Sequence, residues 1–177
     1  VNDRVYITSK EIVEQYLTPL TDFLSEIGKR AVLCNFPAHV EVRISTDGKV
    51  APIEVNPLRF GGWCSTPDLA WYAFGINIYE YLFSQGIPDW QSLLQGREGL
   101  VYSNIVLNNS TGIEGKQIQS FDYQKLLSCF EKPLELRKAD FGKFPLFGFL
   151  FCETRQENMK ELFDILHSDL REFVTVK

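Results

Sequence analysis

Glu41 and Glu54 are spaced so that a β-hairpin would place their carboxylates side by side. Asp47-Gly48 lies between them, and this dipeptide flanked by alternating apolar residues is the strongest short-range hairpin signal. With Asp47 and Gly48 as the two turn residues, Glu41 lies directly opposite Glu54. A loop over 46–49 keeps this pairing, whereas a three-residue loop breaks it. Opposed side chains have Cβ atoms about 4.5–5.5 Å apart, so the two carboxylates repel each other and a third group is expected to offset the repulsion.

The face of the hairpin that carries these glutamates also carries His39, Arg43 and Asn56. A divalent cation held by Glu41, Glu54 and Asn56 is the simplest device against the repulsion, and an all-oxygen ligand set suits Mg²⁺ better than a transition metal. Arg43 is the competing device, since it could neutralise a carboxylate directly. Two plainer alternatives stay open: the face is merely solvated, and His39, opposite Asn56, is a structural residue and not a substrate group.

The other face of the hairpin is apolar and is expected to sit on the core. Its predicted opposed pairs are Val40 with Val55, Val42 with Ile53, and Ile44 with Ala51.

A glycine-containing loop follows the second strand. Pro57 ends the strand directly after Asn56. Arg59, Gly61 and Gly62 then offer a guanidinium and two accessible backbone groups. Arginine suits bidentate contacts to phosphate or carboxylate, and glycine lets a ligand approach the backbone closely.

These motifs resemble the ATP-grasp superfamily of carboxylate–amine ligases. The resemblance rests on Glu41-Val-Arg, the gap with Asp47-Gly48, and the run Ile53-Glu-Val-Asn-Pro-Leu-Arg59, and it covers about residues 4–80. The family activates a carboxylate with ATP as an acyl phosphate, which an amine or similar nucleophile then attacks. The resemblance therefore implies an ATP-dependent ligase with ATP and Mg²⁺ as cofactors, where Mn²⁺ can replace Mg²⁺.

Each motif residue takes a role by this resemblance. Glu41, Glu54 and Asn56 would hold two Mg²⁺ ions that bridge the ATP phosphates. Arg59 would be the catalytic arginine that contacts the transferring phosphoryl group or the acyl phosphate, although it comes one residue later than in the commonest form of the family. Arg43 takes a place close to the adenine that is more often apolar.

The substrate contacts implied by the resemblance come from the glycine loop. Gly61 and Gly62 resemble the loop that faces the acceptor substrate. His39 joins Arg59 as a candidate substrate group.

The elements that would position these residues follow from periodicity. A strand over 4–7 and a helix capped by Thr8 and Glu11 are predicted before the hairpin. The helix is expected to end at Gly28 and to pack one face on a sheet. Short helices are predicted after Thr66 with Pro67 at its first position, after Asn77, and over 90–94. The predicted fold class is α+β: the C-terminal lobe of an ATP-grasp fold, an antiparallel sheet with packed helices.

The stretch 95–99 is the best candidate boundary, so the predicted domains are the lobe over 1–96 and an appended C-terminal α+β unit over 97–177. Strands are predicted over 100–107, 133–138, 146–152 and 174–176, and a short helix over 121–130. A second capping box, Thr154 and Glu157, predicts the start of the last helix.

No segment before Glu41 supplies a glycine-rich phosphate loop or the lysines that such a ligase needs. We therefore expect a C-terminal portion of a longer enzyme, inactive alone, whose partner is the missing N-terminal half. The other expected partners are small carboxylate and amine substrates, and a homodimer stays open. The alternatives are a non-catalytic nucleotide- or metal-binding module and a plain α+β interaction domain.

Composition narrows the class of protein. The net charge of −5 argues against nucleic-acid partners, which require concentrated positive charge. No apolar run is long enough for a membrane span, so no membrane partner is expected. The four cysteines form no C-x-x-C pair and are expected to be buried in a cytoplasmic protein.

Overall fold

The computed structural model describes residues 4–177. The protein is α+β, with antiparallel sheets and short helices. The strands are β1 (Val5–Ser9), β2 (Ala38–Ile44), β3 (Val50–Pro57), β4 (Leu100–Asn108), β5 (Ile118–Phe121), β6 (Pro133–Lys138), β7 (Leu146–Arg155) and β8 (Val174–Val176). The helices are α1 (Lys10–Ala31), α2 (Ser65–Phe74), α3 (Ile78–Ser84), α4 (Trp90–Leu93), α5 (Tyr123–Leu127) and α6 (Lys160–His167).

The chain divides into two compact units. One runs over residues 9–98 and holds α1 to α4 and the β2–β3 hairpin. The other combines residues up to Thr8 with residues 99–177, so β1 groups with the later strands. The predicted domains over 1–96 and 97–177 stay a prediction.

The later unit is built on a four-stranded sheet in the order β1-β4-β7-β6. Central strand β7 is buried from Leu146 to Cys152, which confirms the buried strand that its apolar run predicts. A two-stranded β5–β8 sheet and α6 supply further core residues. Phe121 of β5 stacks on Phe147 of β7, with ring centroids 4.2 Å apart. This unit therefore has a continuous apolar core of its own.

The predicted start of the last helix is wrong. Thr154 lies in β7, and a 3₁₀ turn over 156–158 separates it from α6. The Thr154 hydroxyl donates to the buried Glu161 carboxylate at 2.5 Å, and the backbone N–H of Glu131 donates to the same carboxylate at 2.9 Å. The threonine therefore satisfies a buried acid and does not cap a helix.

Helix α1 in the unit over 9–98 is longer than predicted at one end and shifted at the other. Ser9, not Thr8, is the N-cap, and its Oγ accepts from the N–H of Ile12 at 3.2 Å. Gly28 does not stop the helix, which continues to Ala31 and is capped by Val32 in a left-handed conformation, φ 53°. A helix tolerates an interior glycine at a cost of about 1 kcal/mol, so the periodic stripe continues past it.

The packing expected of α1 and of the hairpin is only partly realised. No residue of α1 is buried, and its apolar stripe is half-buried. In β3 the side chains of Ile53 and Val55 are 56% and 46% exposed. The expectation that the apolar face of the hairpin sits on the core is therefore met only in part, since Val40, Val42 and Ile44 of β2 are half-buried.

The short helices agree better with the sequence patterns. Asn77 caps α3 as predicted, since its side chain accepts from the N–H groups of Tyr79 and Glu80. Helix α2 begins at Ser65, with Cys64 and not Thr66 at its N-cap. The helices of this unit bury a small set of apolar side chains: Ala73, Phe74, Ile76 and Leu94.

The cysteine prediction is wrong for three of four residues. Only Cys152 is buried, and Cys34, Cys64 and Cys129 are exposed free thiols. Within residues 4–177 none of the helices has the length and apolar content that a membrane span requires.

Candidate active site

The hairpin places Glu41 directly opposite Glu54 and His39 directly opposite Asn56, as predicted. Both carboxylates are exposed, whereas His39 and Asn56 are half-buried. Since side chains two apart on a strand share a face, the four residues form one polar patch, which we call the carboxylate face.

This register has an origin that the dipeptide signal does not predict. The loop has three residues, because Ser45 donates its N–H to the carbonyl of Lys49, and Gly48 closes the turn at φ 79°. This loop shifts the first pairs by one, so that Ile44 lies opposite Val50. A bulge at Ile53 absorbs one residue, and Glu41 meets Glu54 again.

The shift set by the loop also overturns two predicted pairs. Val42 lies opposite Pro52 and not Ile53, and Ala51 lies opposite Arg43 and not Ile44. Proline cannot donate to a strand ladder, so Pro52 suits a position beside a bulge.

The carboxylate face presents unpartnered polar atoms. Within the described chain, Nδ1 of His39 and Nδ2 of Asn56 are buried and have no hydrogen-bond partner. Buried polar atoms are usually paired, and each exception calls for an explanation. Because these two residues are direct cross-strand partners, the patch has unused hydrogen-bonding capacity next to the two carboxylates.

The face brings together the three residues that the sequence suggests as metal ligands. Glu41, Glu54 and Asn56 can offer carboxylate and amide oxygens, which hard cations such as Mg²⁺ prefer. The described residues contain no group of three or more His, Cys, Asp or Glu side chains that could hold a metal ion, so any site here depends on the amide of Asn56. Arg43 makes no ion pair with either carboxylate in the part of the chain that the structure describes.

The glycine loop lies against this face. Leu58 extends the hairpin, with its N–H donating to the carbonyl of Pro37 at 2.8 Å. Gly61 has φ 106°, and a Cβ added there would lie 2.4 Å from Thr66 Oγ1 and 3.4 Å from His39 Cδ2. Gly61 therefore allows the loop to pass close to His39. A Cβ on Gly62 would meet nothing within 4 Å.

Arg59 lies in the same loop and is exposed. Its guanidinium makes no hydrogen bond or ion pair with another residue of 4–177. The structure therefore groups the hairpin residues and Gly61, while Arg59 projects from a neighbouring exposed position.

A comparison with protein families matches residues 1–67 to the ATP-grasp domain. This segment belongs to the ATP-grasp superfamily. No curated protein matches the chain. The ATP-grasp segment spans the hairpin and the glycine loop, so the carboxylate face, Arg43, Arg59, Gly61 and Gly62 all lie inside the match. ATP-grasp proteins are generally ATP-dependent ligases that use Mg²⁺.

Sequence reasoning missed a feature at the end of the ATP-grasp segment. Trp63 and Cys64 both adopt left-handed backbone conformations, with φ 55° and 58°. The Tyr79 hydroxyl donates to Cys64 Sγ at 3.8 Å, and this bond raises the pKa of the Tyr79 phenol together with local burial and the charges of Cys64 and Asp68. The Phe60 and Tyr79 rings meet edge to face, with centroids 5.4 Å apart. Non-glycine residues rarely adopt positive φ, so no sequence signal could have indicated this turn.

Proposed function

We propose that the chain is the C-terminal part of an ATP-dependent ligase that activates a carboxylate as an acyl phosphate and joins it to an amine or similar nucleophile. The observation that carries the proposal is the direct opposition of Glu41 and Glu54 within a segment that matches the ATP-grasp domain. Two exposed like charges held in register destabilise a hairpin unless a cation offsets them, and ATP-grasp chemistry requires such a cation.

In this proposal Glu41, Glu54 and Asn56 hold Mg²⁺. The bound ions neutralise charge on the ATP phosphates. Glu54 and Asn56 alternate along β3 and so reach the same ligand from one strand. The unpartnered Nδ2 of Asn56 leaves a donor for a phosphate oxygen, while the amide oxygen of the same side chain would face the cation.

The remaining residues position the substrates. Arg59 contacts the phosphoryl group with its guanidinium. Within the described chain this guanidinium makes no hydrogen bond or ion pair with another residue. Arg43 lies near the adenine. His39, Gly61 and Gly62 face the substrates, with the loop backbone close enough to the His39 ring for both to touch one ligand.

The reaction proceeds in two displacements. A carboxylate oxygen of the substrate attacks the γ-phosphorus of ATP, the bond to the β-phosphate oxygen breaks, and ADP leaves. The amine then attacks the acyl carbon, the bond to the phosphate oxygen breaks, and inorganic phosphate leaves with the loss of one proton from nitrogen. The chain's own residues contribute orientation and charge stabilisation.

The proposal includes a nucleotide-binding partner, the N-terminal half of the same ATP-grasp domain. The half-buried stripe of α1 and the exposed Ile53 and Val55 support it. A contiguous exposed apolar surface marks an interaction site, and these residues would supply one for the missing half. This chain alone is then expected to bind metal weakly and to be inactive as a ligase.

Mn²⁺ binding tests the proposal at its central residues. Free Mn²⁺ is titrated by electron paramagnetic resonance with the wild-type chain, with and without ADP. We expect saturable binding that Glu41→Gln and Glu54→Gln each abolish, because both carboxylates serve one site. Glu135→Gln is the matched control, since Glu135 is an exposed strand glutamate in the other unit.

Two results would contradict the proposal. One is Mn²⁺ binding that survives in both hairpin variants, and the other is binding lost equally in the Glu135→Gln control. Absence of binding in the wild-type chain would favour the plain interaction domain, in which the carboxylate face is only solvated.

A further inference from the structure

A small cavity lies between helices α2 and α3. It has a volume of about 240 Å³ and is lined mainly by Pro67, Asp68 and Trp71 of α2 and by Ile76, Ile78 and Tyr79 around the start of α3. Pockets for drug-sized ligands span roughly 300–1,000 Å³. The cavity therefore suits a small ligand or a single side group.

The lining combines aromatic surface with one negative charge. Trp71 and Tyr79 are 55% and 42% exposed, although large aromatic side chains usually gain by burial. Asp68 is the only lining side chain that is charged at neutral pH. It lies close enough to Tyr79 for its charge to act on the phenol.

This combination selects a cation with an apolar body. An ammonium is attracted by a carboxylate and by the faces of tryptophan and tyrosine rings. Ile76, Ile78 and Pro67 offer only apolar surface to the rest of the ligand. An anion would meet the charge of Asp68 and no compensating cation in the lining.

The cavity is physically connected to the glycine loop. Tyr79 lines the cavity, its ring meets Phe60, and its hydroxyl donates to Cys64. Phe60 lies between Arg59 and Gly61 in the chain. A ligand that contacts Tyr79 is therefore one side chain away from the loop that carries the proposed substrate contacts.

We propose that the cavity between α2 and α3 binds the nucleophilic substrate, a small amine with an aromatic or branched apolar group, through Asp68, Trp71 and Tyr79. This inference rests on the proposed ligase function and names its amine class. The amine binds as an ammonium against Asp68 and the Trp71 face, and it releases one proton to solvent before its nitrogen attacks. The apolar group fills the space beside Ile76 and Ile78.

Binding of 2-phenylethylamine to the whole chain at neutral pH tests the proposal. The probe carries an ammonium at this pH, because alkyl amines have pKa values near 10. Two-dimensional NMR reports which residues shift, and calorimetry gives the dissociation constant. Neutral 2-phenylethanol has the same apolar body without the charge and serves as the ligand control.

Three variants separate the contributions. Asp68→Asn keeps the shape of the side chain and is expected to weaken 2-phenylethylamine binding by about tenfold or more, since charged hydrogen bonds are the strong ones. Trp71→Leu keeps an apolar side chain, removes the ring and is expected to weaken binding several-fold. Asp22→Asn removes one exposed charge from α1 and is expected to change nothing.

The results decide between clear outcomes. Saturable binding of the amine, weak binding of 2-phenylethanol, and losses in Asp68→Asn and Trp71→Leu support the inference. No saturable binding at millimolar amine, or equal binding of amine and alcohol, overturns it. Glu54→Gln should leave amine binding unchanged, so failure here is distinct from failure of the metal site.

Discussion

Glu41 and Glu54 are direct partners across the hairpin because two irregularities compensate each other. The three-residue loop closed by Gly48 shifts the register by one, and the bulge at Ile53 restores it. A hairpin with either irregularity alone would place the two carboxylates on opposite faces, since a slip of one residue reverses every side chain. The carboxylate face therefore depends on the bulge as much as on the glutamates.

Removing one of the opposed charges should stabilise the metal-free chain. Glu54→Gln removes a like-charge repulsion between direct cross-strand partners, so we expect the free energy of unfolding to rise by a few tenths of a kcal/mol. All three tryptophans, Trp63, Trp71 and Trp90, lie in the unit over 9–98. Urea unfolding followed by tryptophan fluorescence therefore reports on the unit that contains the hairpin.

The control for this prediction is Glu135→Gln, whose cross-strand partner is Phe151 and not an acid. It should leave the tryptophan transition unchanged. A lower urea midpoint for Glu54→Gln would mean that this carboxylate has a stabilising partner and is not repelled.

The second prediction concerns Gly48 in the turn. Its φ is 79°, and a Cβ added there would meet no atom within 4 Å, so only backbone conformation restricts substitution. Gly48→Val should destabilise the hairpin by about 1 kcal/mol or more, since β-branched residues strongly disfavour this region. Gly48→Asn should cost much less, because asparagine tolerates the left-handed conformation. The same fluorescence-monitored urea unfolding compares the two variants, and equal losses would contradict a role for backbone conformation.

The sequence predicts which residues face each other at this site, but it does not predict the loop length and the bulge that set the strand register. Asp47-Gly48 correctly indicates a hairpin and the pairing of Glu41 with Glu54, but it favours an even loop. Pro52 is the signal for the bulge, since a proline within a strand indicates an edge or an irregularity. Neither the loop length nor the bulge follows from periodicity, because alternation of apolar and polar residues does not specify how many residues the turn takes.

Elements with a strong apolar pattern are predicted closely, whereas caps are predicted unevenly: Asn77 caps α3 as expected, but Thr8 and Thr154 cap no helix. The run from Leu146 to Cys152 is a buried strand as expected, since its own unit supplies the core. Thr154 matches a capping box by spacing, yet it donates to Glu161 inside a β-strand environment. The spacing of Thr154 and Glu157 does not reveal that the buried Glu161 carboxylate needs a hydrogen-bond donor.

Gly61 and Gly62 are expected to respond differently to alanine, which is our third prediction. Gly61→Ala would place its Cβ 2.4 Å from Thr66 Oγ1 at φ 106°, so the loop must move away from its position near His39. Gly62→Ala meets open space and should keep the loop in place. We expect Gly61→Ala to shift the NMR signals of the His39 ring and Thr66, and Gly62→Ala to leave them near their original positions.

This comparison also tests the loop's proposed role. If Gly61→Ala leaves the His39 ring signals unchanged, the close approach of the loop to His39 is absent in solution. If Gly62→Ala perturbs them as strongly, the two glycines do not differ in the way that their surroundings indicate.

The last prediction concerns the pH dependence of the later unit. Burial raises the pKa of the Cys152 thiol well above its usual range, and the charge of Glu161 adds to the effect. A group whose folded pKa is raised contributes stability below its unfolded pKa and loses it as the pH rises. The unfolded thiol ionises near pH 8.5 while the folded one stays neutral, so stability should fall above that pH by up to roughly 1.4 kcal/mol per pH unit from this thiol.

Cys152→Ala should remove that dependence. Its unfolding free energy is expected to be lower at neutral pH, because a buried side chain is lost, but to fall less steeply than that of the wild type between about pH 8.5 and 10. Urea unfolding followed by circular dichroism measures both slopes, and Cys34→Ala is the control because Cys34 is exposed. Parallel slopes for wild type and Cys152→Ala would mean that the Cys152 thiol ionises alike in the folded and unfolded states.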